Sequence, residues 1–309
     1  RAITDDALED TLAAWLGDRS ARRVVDQAIR VIFGEEPTAV PLDWCAAYAA
    51  AAGGDLLDLA AIEGGAQQTR LVGGTQAVSV ALAEGLDVVL ERPVGRVARD
   101  ADGVTVTSLD MAHTVRADRV IIAVPRPAAV LEHDPPMPEP VRRVSAGGRM
   151  GATTKVVAVY DSPFWRAAGW RGEAVLTDGP VQVTFDNTSH DGSVPSLLAF
   201  VTGDAARAAS DRPDDELTEA VIASLVRAFG PNAAAPTQVV QHHWTRERWS
   251  EGCPVANPGV GVGAERVALR RPVGRVHLAG TETATEWTGY MEGAVQSGER
   301  AAAEVLAAL

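Results

Sequence analysis

The sequence predicts a mixed α/β (α+β) fold. One part is a mostly antiparallel sheet faced by helices, and the other is built around a glycine-punctuated strand–helix unit. Two observations carry this. Apolar runs at 153–160, 181–185, 197–202 and 238–244 are interrupted by one long helical pattern at 214–229, which suggests antiparallel strands under helical cover. Near the C-terminus, the run Val276, His277, Leu278, Ala279 stops at Gly280, and small and hydroxyl residues then lead into a helix-forming stretch. A strand that reaches a helix start through glycine leaves backbone N–H groups and the positive helix end where an anionic ligand can sit.

The other elements follow in chain order. Residues 3 to 34 carry apolar positions at helical spacing (Leu8, Leu12, Trp15, Leu16, then Val24, Ala28, Ile32) until Pro37 and Pro41 break the pattern. A second helical stretch, 44–52, ends at Gly53-Gly54. Val72-Gly73-Gly74-Thr75 opens a helix over 76–86, and Val88-Val89-Leu90 reads as a strand. Runs at 94–99 and 104–109 flank Asp100, Ala101, Asp102 and Gly103, a hairpin signal. Residues 118–125 read as a buried strand stopped by Pro125.

At 309 residues the chain can bury a large core in one or two domains. A formal charge of −13, with no basic cluster, argues against nucleic acid. Cys45 and Cys253 are too few for a disulfide framework and lack a metal-type spacing. No basic–apolar leader and no run of eighteen apolar residues is present, so the expected setting is cytoplasmic, without a membrane partner. His242 and His243 cannot both face one ligand on a strand. Gly259, Gly261 and Gly263 form a G-x-G-x-G run, but Pro258 abuts it and no strand precedes it, so it reads as a connection.

The string from Gly274 to Arg300, GRVHLAGTETATEWTGYMEGAVQSGER, closely resembles the C-terminal flavin-binding segment of the flavin monoamine oxidase family. The resemblance runs in order from Val72-Gly73-Gly74 to the final helix. It implies a partial Rossmann-like FAD-binding domain with a substrate domain of antiparallel sheet and helices. It divides the chain into substrate segments at 1–71 and 136–243 and FAD segments at 72–135 and 244–309. The family's N-terminal strand–G-x-G-x-x-G–helix unit has no match here, so the chain is expected to be the later part of a member, either a fragment or one chain of a split enzyme.

The implied activity is oxidation of a primary or secondary amine by FAD, with O2 as acceptor and hydrogen peroxide as product. Lys155 is the single lysine of the chain. On spacing alone it is an edge-strand residue; by resemblance it precedes the strand leading to Pro163-Phe164-Trp165 and holds a water against the flavin. Tyr290, otherwise a packing aromatic, is implied to form one wall of an aromatic sandwich that steers the amine. The opposite wall should follow Cys253, where this chain has Pro254, so half of the cage is missing. Cys253 either carries FAD through a thioether or is a small buried thiol. Trp244 and Trp249 match aromatics bordering the flavin, or are core. Gln67 matches a residue lining the substrate cavity. Val94, Gly280, Thr281, Glu282 and Met291 complete the implied cofactor contacts.

The implied partners are a small-molecule amine and O2, with two protein partners as open alternatives: an N-terminal chain carrying the glycine loop, and a second copy in a homodimer. Two rival readings stay open beside this one. One is another FAD oxidase of the same superfamily, of L-amino acid oxidase type, which would want an arginine for the carboxylate. The other is an inactive fragment or partner subunit.

Overall fold

The computed structural model describes residues 19–54, 59, 62, 64–125 and 131–309. The helical positions expected at Leu8, Leu12, Trp15 and Leu16 lie outside these residues. Contacts divide the chain into two compact units, one of Arg1–Asp43 with Arg149–Gly261 and one of Trp44–Gly148 with Val262–Leu309. These junctions fall elsewhere than after 71, 135 and 243, because residues 44–71 and 136–148 join the second unit and 244–261 the first.

The first unit is organised by a five-stranded sheet in the order Gln238–His243, Thr153–Val159, Ser196–Thr202, Val183–Asp186, Ala174–Val175, with every pair antiparallel. Alternation sends Val156, Ala158, Leu197, Ala199 and Val201 into a fully buried core with Leu217, Val221 and Leu225 of helix Asp214–Phe229. That helix carries Asp214, Asp215 and Glu216 in its first turn, where carboxylates favour the positive helix end. It stops at Gly230, whose φ of +80° ends the helical path. The expected strand at 181–185 begins two residues late. Gln182 is committed to another bond there, its side-chain oxygen accepting the Thr202 N–H at 2.7 Å.

Three glycines let three stretches of backbone converge beside this sheet. Gly34, with φ +65°, follows helix Arg19–Phe33, and a Cβ there would stand 2.7 Å from the Cys253 carbonyl oxygen. A Cβ on Gly151 would collide with the Phe33 oxygen, and one on Gly252 with the Gly151 oxygen. The stretches are laced together by bonds from Ala152 N to Gly34 O and from Cys253 N to Gly151 O, each 2.8 Å.

In the second unit, strands Thr114–Ala117, Val104–Ser108, Val94–Arg99 and Glu132–Asp134 form one sheet in that order. The Asp100–Gly103 hairpin is present. Asp100 Oδ1 accepts the N–H groups of Asp102 and Gly103, both at 2.8 Å, which closes the turn. Strand Val276–Leu278 pairs in parallel with Val120–Ile122, and Val276 and Leu278 are buried with Val97, Val104, Val141 and Leu269.

Several expectations require correction. Val88-Val89-Leu90 is not a strand; it is 52%, 68% and 76% exposed, and no neighbouring strand among the described residues pairs with it. The strand expected over 118–125 shrinks to Val120–Ile122, the length its parallel partner Val276–Leu278 can pair, and Ile121 is 39% exposed. The proline-rich stretch opens an unexpected helix, Glu139–Gly147, since proline fits the first turn of a helix. The glycine run at 259–263, expected to have no strand before it, follows a two-residue strand, Ala256–Asn257, paired antiparallel with Arg149–Met150, and leads into a 3-10 helix, Gly263–Arg270.

Candidate functional site

In the first unit, Lys155 is the third residue of strand Thr153–Val159, on the sheet face turned away from the core. Strand pairing sets Phe200 opposite it on one side and His242 on the other. The Lys155 ammonium stands 5.1 Å from the centre of the Phe200 ring, a cation–π distance. His242 packs edge-on to Trp244 with ring centres 4.6 Å apart. His243 points the opposite way, is buried, and its Nδ1 lies 3.0 Å from Thr154 Oγ1. Burial and the Arg246 charge lower its pKa against the pull of Asp214. The two histidines therefore face opposite sides, as strand alternation requires.

Cys253 is a free thiol whose pKa is raised by burial, an effect that the Lys155 charge opposes. The fold thus brings Lys155 and Cys253 into electrostatic reach. Thr153 Oγ1 fixes the Cys253 carbonyl at 3.0 Å. Trp244 has its indole Nε1 buried with no hydrogen-bond partner among the described residues. Trp249 stands apart, 60% exposed under the Arg248 guanidinium at 4.5 Å.

In the second unit, Tyr290 sits immediately before helix Met291–Leu306. Its ring packs against Trp287 at 5.6 Å and Tyr48 at 6.1 Å. Its hydroxyl donates to the Leu59 carbonyl at 3.1 Å, and Gln67 Nε2 donates to the same oxygen at 3.0 Å. Two residues 223 positions apart in sequence (290 less 67) therefore meet at one acceptor. Burial pushes the Tyr290 phenol up to about 12 despite a bond from Gln67, so it stays neutral.

The Gly280 loop is tightly folded. Gly280 has φ +118°, and a Cβ there would stand 2.6 Å from Glu282 Oε2, so glycine alone lets the buried Glu282 side chain turn back over the backbone. Thr281 spends its hydroxyl inside the protein, donating to Tyr290 O at 3.0 Å and accepting from Gly289 N at 2.6 Å. Arg270 and Arg300 clamp the loop from below through the carbonyls of Thr283, Ala284 and Leu278. Met291, half exposed, opens the helix without a side-chain cap, which leaves first-turn N–H groups for an acceptor. Val94 begins its strand beside a register shift and is 39% exposed.

Sequence reasoning missed Phe200, Tyr48 and the two clamping arginines. Phe200 was within reach of it, since the run 197–202 alternates with the period of its neighbour. Tyr48 lies one helical turn beyond Trp44, a spacing shared with ordinary core.

The sequence matches the family described as flavin containing amine oxidoreductase over residues 5–306. It is 34% identical to a probable flavin-containing monoamine oxidase A of Dictyostelium discoideum over 96% of this chain and 66% of that protein. It is 35% identical to a flavin-containing amine oxidase of Danio rerio, over 94% of this chain and 57% of the relative. Among solved structures it superposes on cyclohexylamine oxidase from Brevibacterium oxydans IH-35A with a TM-score of 0.92 and 32% identity, covering 98% of this chain and 68% of that one. Putrescine oxidase bound to putrescine gives 0.88 at 30% identity, covering 99% and 68%. The mixed fold of helices with antiparallel and parallel strands is thus that of FAD-dependent amine oxidases.

The chain belongs to the flavin containing amine oxidoreductase family. It spans from somewhat over half to about two thirds of the length of the curated relatives it matches. Membership implies FAD, and the residues present fit it. Among the described residues, the buried Trp244 indole N–H of the first unit has no hydrogen-bond partner, and in the second unit the start of helix Met291–Leu306 carries no side-chain cap. No helix among the described residues is long and apolar enough to cross a membrane.

Proposed function

We propose that the chain supplies the later segments of an FAD-dependent amine oxidase that converts a primary or secondary amine to an imine, which water hydrolyses. FAD, when bound, accepts the hydrogen of the amine α-carbon at N5, and O2 restores it with release of hydrogen peroxide. The observation that carries this reading is the position of Lys155, the single lysine of the chain, on the sheet face turned away from the core in a family of flavin-containing amine oxidoreductases.

The second unit holds the cofactor in this reading. Gly280, Glu282 and the backbone at Met291 contact it, while Thr281 acts indirectly by tying down the turn at Gly289 and Tyr290. Val94 adds a backbone contact. Tyr290 offers a neutral aromatic face to the amine nitrogen, steadied by Tyr48, Trp287 and the Leu59 carbonyl, and Gln67 lines the approach. In the first unit Lys155 holds a water through its ammonium donors, Trp244 donates its indole N–H to the cofactor, and Trp249 borders it. Pro254 stands where the second aromatic wall is expected, so the substrate is steered by one wall.

Cys253 is the residue through which a covalent link would run. Denaturing and pelleting the flavin-loaded protein reads this directly: flavin in the pellet assigns a Cys253 thioether, and flavin in the supernatant makes Cys253 a packing residue. The partner that completes the protein carries a strand, a glycine-rich loop and a helix. In support, Val72, Leu82, Leu86, Val88, Val89 and Leu90 form an apolar stretch with each residue more than half exposed. The proposed setting is cytoplasmic. The test of the whole reading is amine-dependent peroxide release by the completed protein over a broad amine panel; its absence removes the oxidase assignment.

A further inference from the structure

Behind the Lys155 face lies a buried histidine that the proposed reaction does not use. His243 ends the edge strand Gln238–His243, in register with Thr154, the residue before Lys155. Its Nδ1 lies 3.0 Å from the hydroxyl of the fully buried Thr154. Its Nε2 lies 3.3 Å from Oδ1 of Asp214, the first residue of helix Asp214–Phe229. A 3-10 turn, Trp244–Arg246, follows at once. Arg246 donates to the same Asp214 Oδ1 at 2.8 Å, and to the carbonyls of Ser210 and Arg212, each at 3.1 Å. The turn is therefore held to the helix through one carboxylate oxygen on which two basic groups converge.

That convergence makes the protonation of His243 matter. A carboxylate only accepts and a guanidinium only donates, so Arg246 holds Oδ1, and among the described residues Nε2 completes no hydrogen bond. The Arg246 bond also keeps the Asp214 carboxyl below its ordinary range, hence ionised. With the ring neutral, Asp214 and Arg246 balance one another. A proton on the ring adds a buried cation beside the guanidinium, with a single carboxylate between them. The groups facing the ring are Asp214 from the helix, Arg246 from the turn, His242 from its own strand and the uncharged Thr154 from the next. Helix Asp204–Ser210 adds only the Ser210 carbonyl, through Arg246. Burial, then the Arg246 charge, lowers the ring's pKa. A ring held below the ordinary histidine value of about 6.5 is neutral where a released ring is charged, so falling pH favours release.

We infer that His243 is a positioning residue for the Lys155 face: neutral, it latches the Trp244–Arg246 turn to helix Asp214–Phe229, and protonated, it releases that turn. Release moves His242, the register partner of Lys155, and Trp244, which packs on the His242 ring. Its effect on turnover rests on the amine-oxidase reading above; the latch itself does not. The test is hydrogen–deuterium exchange of the full 309-residue chain, read by mass spectrometry over residues 241–251. Protected amides there include Glu247 N, bonded to Trp244 O at 3.2 Å, and Glu251 N, bonded to Glu247 O at 2.8 Å. After correction for the intrinsic effect of pH on exchange, protection in the parent should fall at least about fivefold between about pH 7.5 and about pH 5.5. In H243Q, whose side chain is polar and never charged, protection should not change with pH. R246Q leaves Asp214 Oδ1 to the ring alone, so its turn, looser at both pH values, should lose no further protection in acid. If H243Q does not fold, R246Q decides. A parent that keeps its protection at the lower pH overturns the inference, as does an equal acid loss in H243Q or R246Q. No turnover is measured, so failure of the oxidase assignment and failure of the latch stay separate.

Discussion

Lys155 and Phe200 stand directly opposite one another on adjacent antiparallel strands, with the ammonium 5.1 Å from the ring centre. At that distance the ring face attracts the ammonium. Half buried between Phe200 and His242, the ammonium gives up part of its hydration to stand there. Replacing it tests its role. K155M keeps the stem and removes the donors. Peroxide release by the holoenzyme should fall roughly hundredfold. Its melting temperature should stay within a few degrees, since Lys155 forms no ion pair to a carboxylate among the described residues. Unchanged turnover would remove Lys155 from the reaction.

The relation between Tyr290 and Leu59 separates hydroxyl from ring. Y290F loses one bond to a carbonyl that Gln67 still satisfies, so the cost should be about 1 kcal/mol. Y290A also empties the space between Tyr48 and Trp287 and should cost about 3 kcal/mol or more. Urea denaturation of the two variants reads both values. Equal losses would mean that the ring packing contributes nothing.

How much of this was legible in the sequence depends on what each element needed for its definition. Helix Asp214–Phe229 and strand Val94–Arg99 have the bounds their periodicity predicts, because each carries its own start, stop and apolar face. Val88–Leu90 has strand composition without a strand, since pairing requires a neighbour that composition cannot supply. The site divides the same way. Lys155 and Tyr290 stand out as candidates through the motifs around them, whereas the meeting of Gln67 with Tyr290 at Leu59 is a tertiary event with no local signal. Thr281 is the reverse case: its motif is plain in the sequence, and the engagement of its hydroxyl with Tyr290 O and Gly289 N is visible only in the fold.

The three-glycine junction beside Cys253 makes a stability prediction with an internal control. G151A and G252A each place a methyl group against backbone oxygen, which cannot move as a side chain could. Each should destabilise by about 1–3 kcal/mol or more. G298A, on helix Met291–Leu306 with nothing within 4 Å of the added carbon, should stabilise by about 0.5–1 kcal/mol. Calorimetry of the three variants decides it. Wild-type stability in G151A and G252A would mean that the junction is looser than its geometry indicates.

Acid should weaken the first unit through Asp186. Burial alone would raise this carboxyl, but bonds from Arg166, Thr188 and Trp165 outweigh it and hold the pKa down at about 2, against 3.8 for a free side chain. A depressed folded pKa contributes stability that is complete above the unfolded value and is lost as pH falls through the folded one. The contribution is on the order of 1 kcal/mol after allowance for solvent screening. The stability gap between the parent and D186N should therefore be constant above about pH 5 and close between about pH 4 and 2. A gap that persists at pH 2 would show that Asp186 acts through neutral hydrogen bonds alone.

The exposed row at Val88–Leu90 makes the last prediction, about cofactor retention. Val89 and Leu90 are 68% and 76% exposed, and among the described residues Val120–Ile122 pairs along one edge, with Val276–Leu278. Edges and apolar faces of this kind associate with whatever can cover them. In the 309-residue chain alone, the Gly280 turn and the helix at Met291 would grip a dinucleotide from one side, without a glycine-rich loop for its pyrophosphate. Purified alone, the chain should therefore carry well under one flavin per molecule and associate more as its concentration rises. Addition or fusion of a strand–G-x-G-x-x-G–helix unit should raise flavin occupancy toward one and suppress the association. V89D should weaken both effects, because it places a charge where the added strand would pack. A yellow, monomeric, stoichiometrically loaded protein from this chain alone would overturn the assignment of a covering unit.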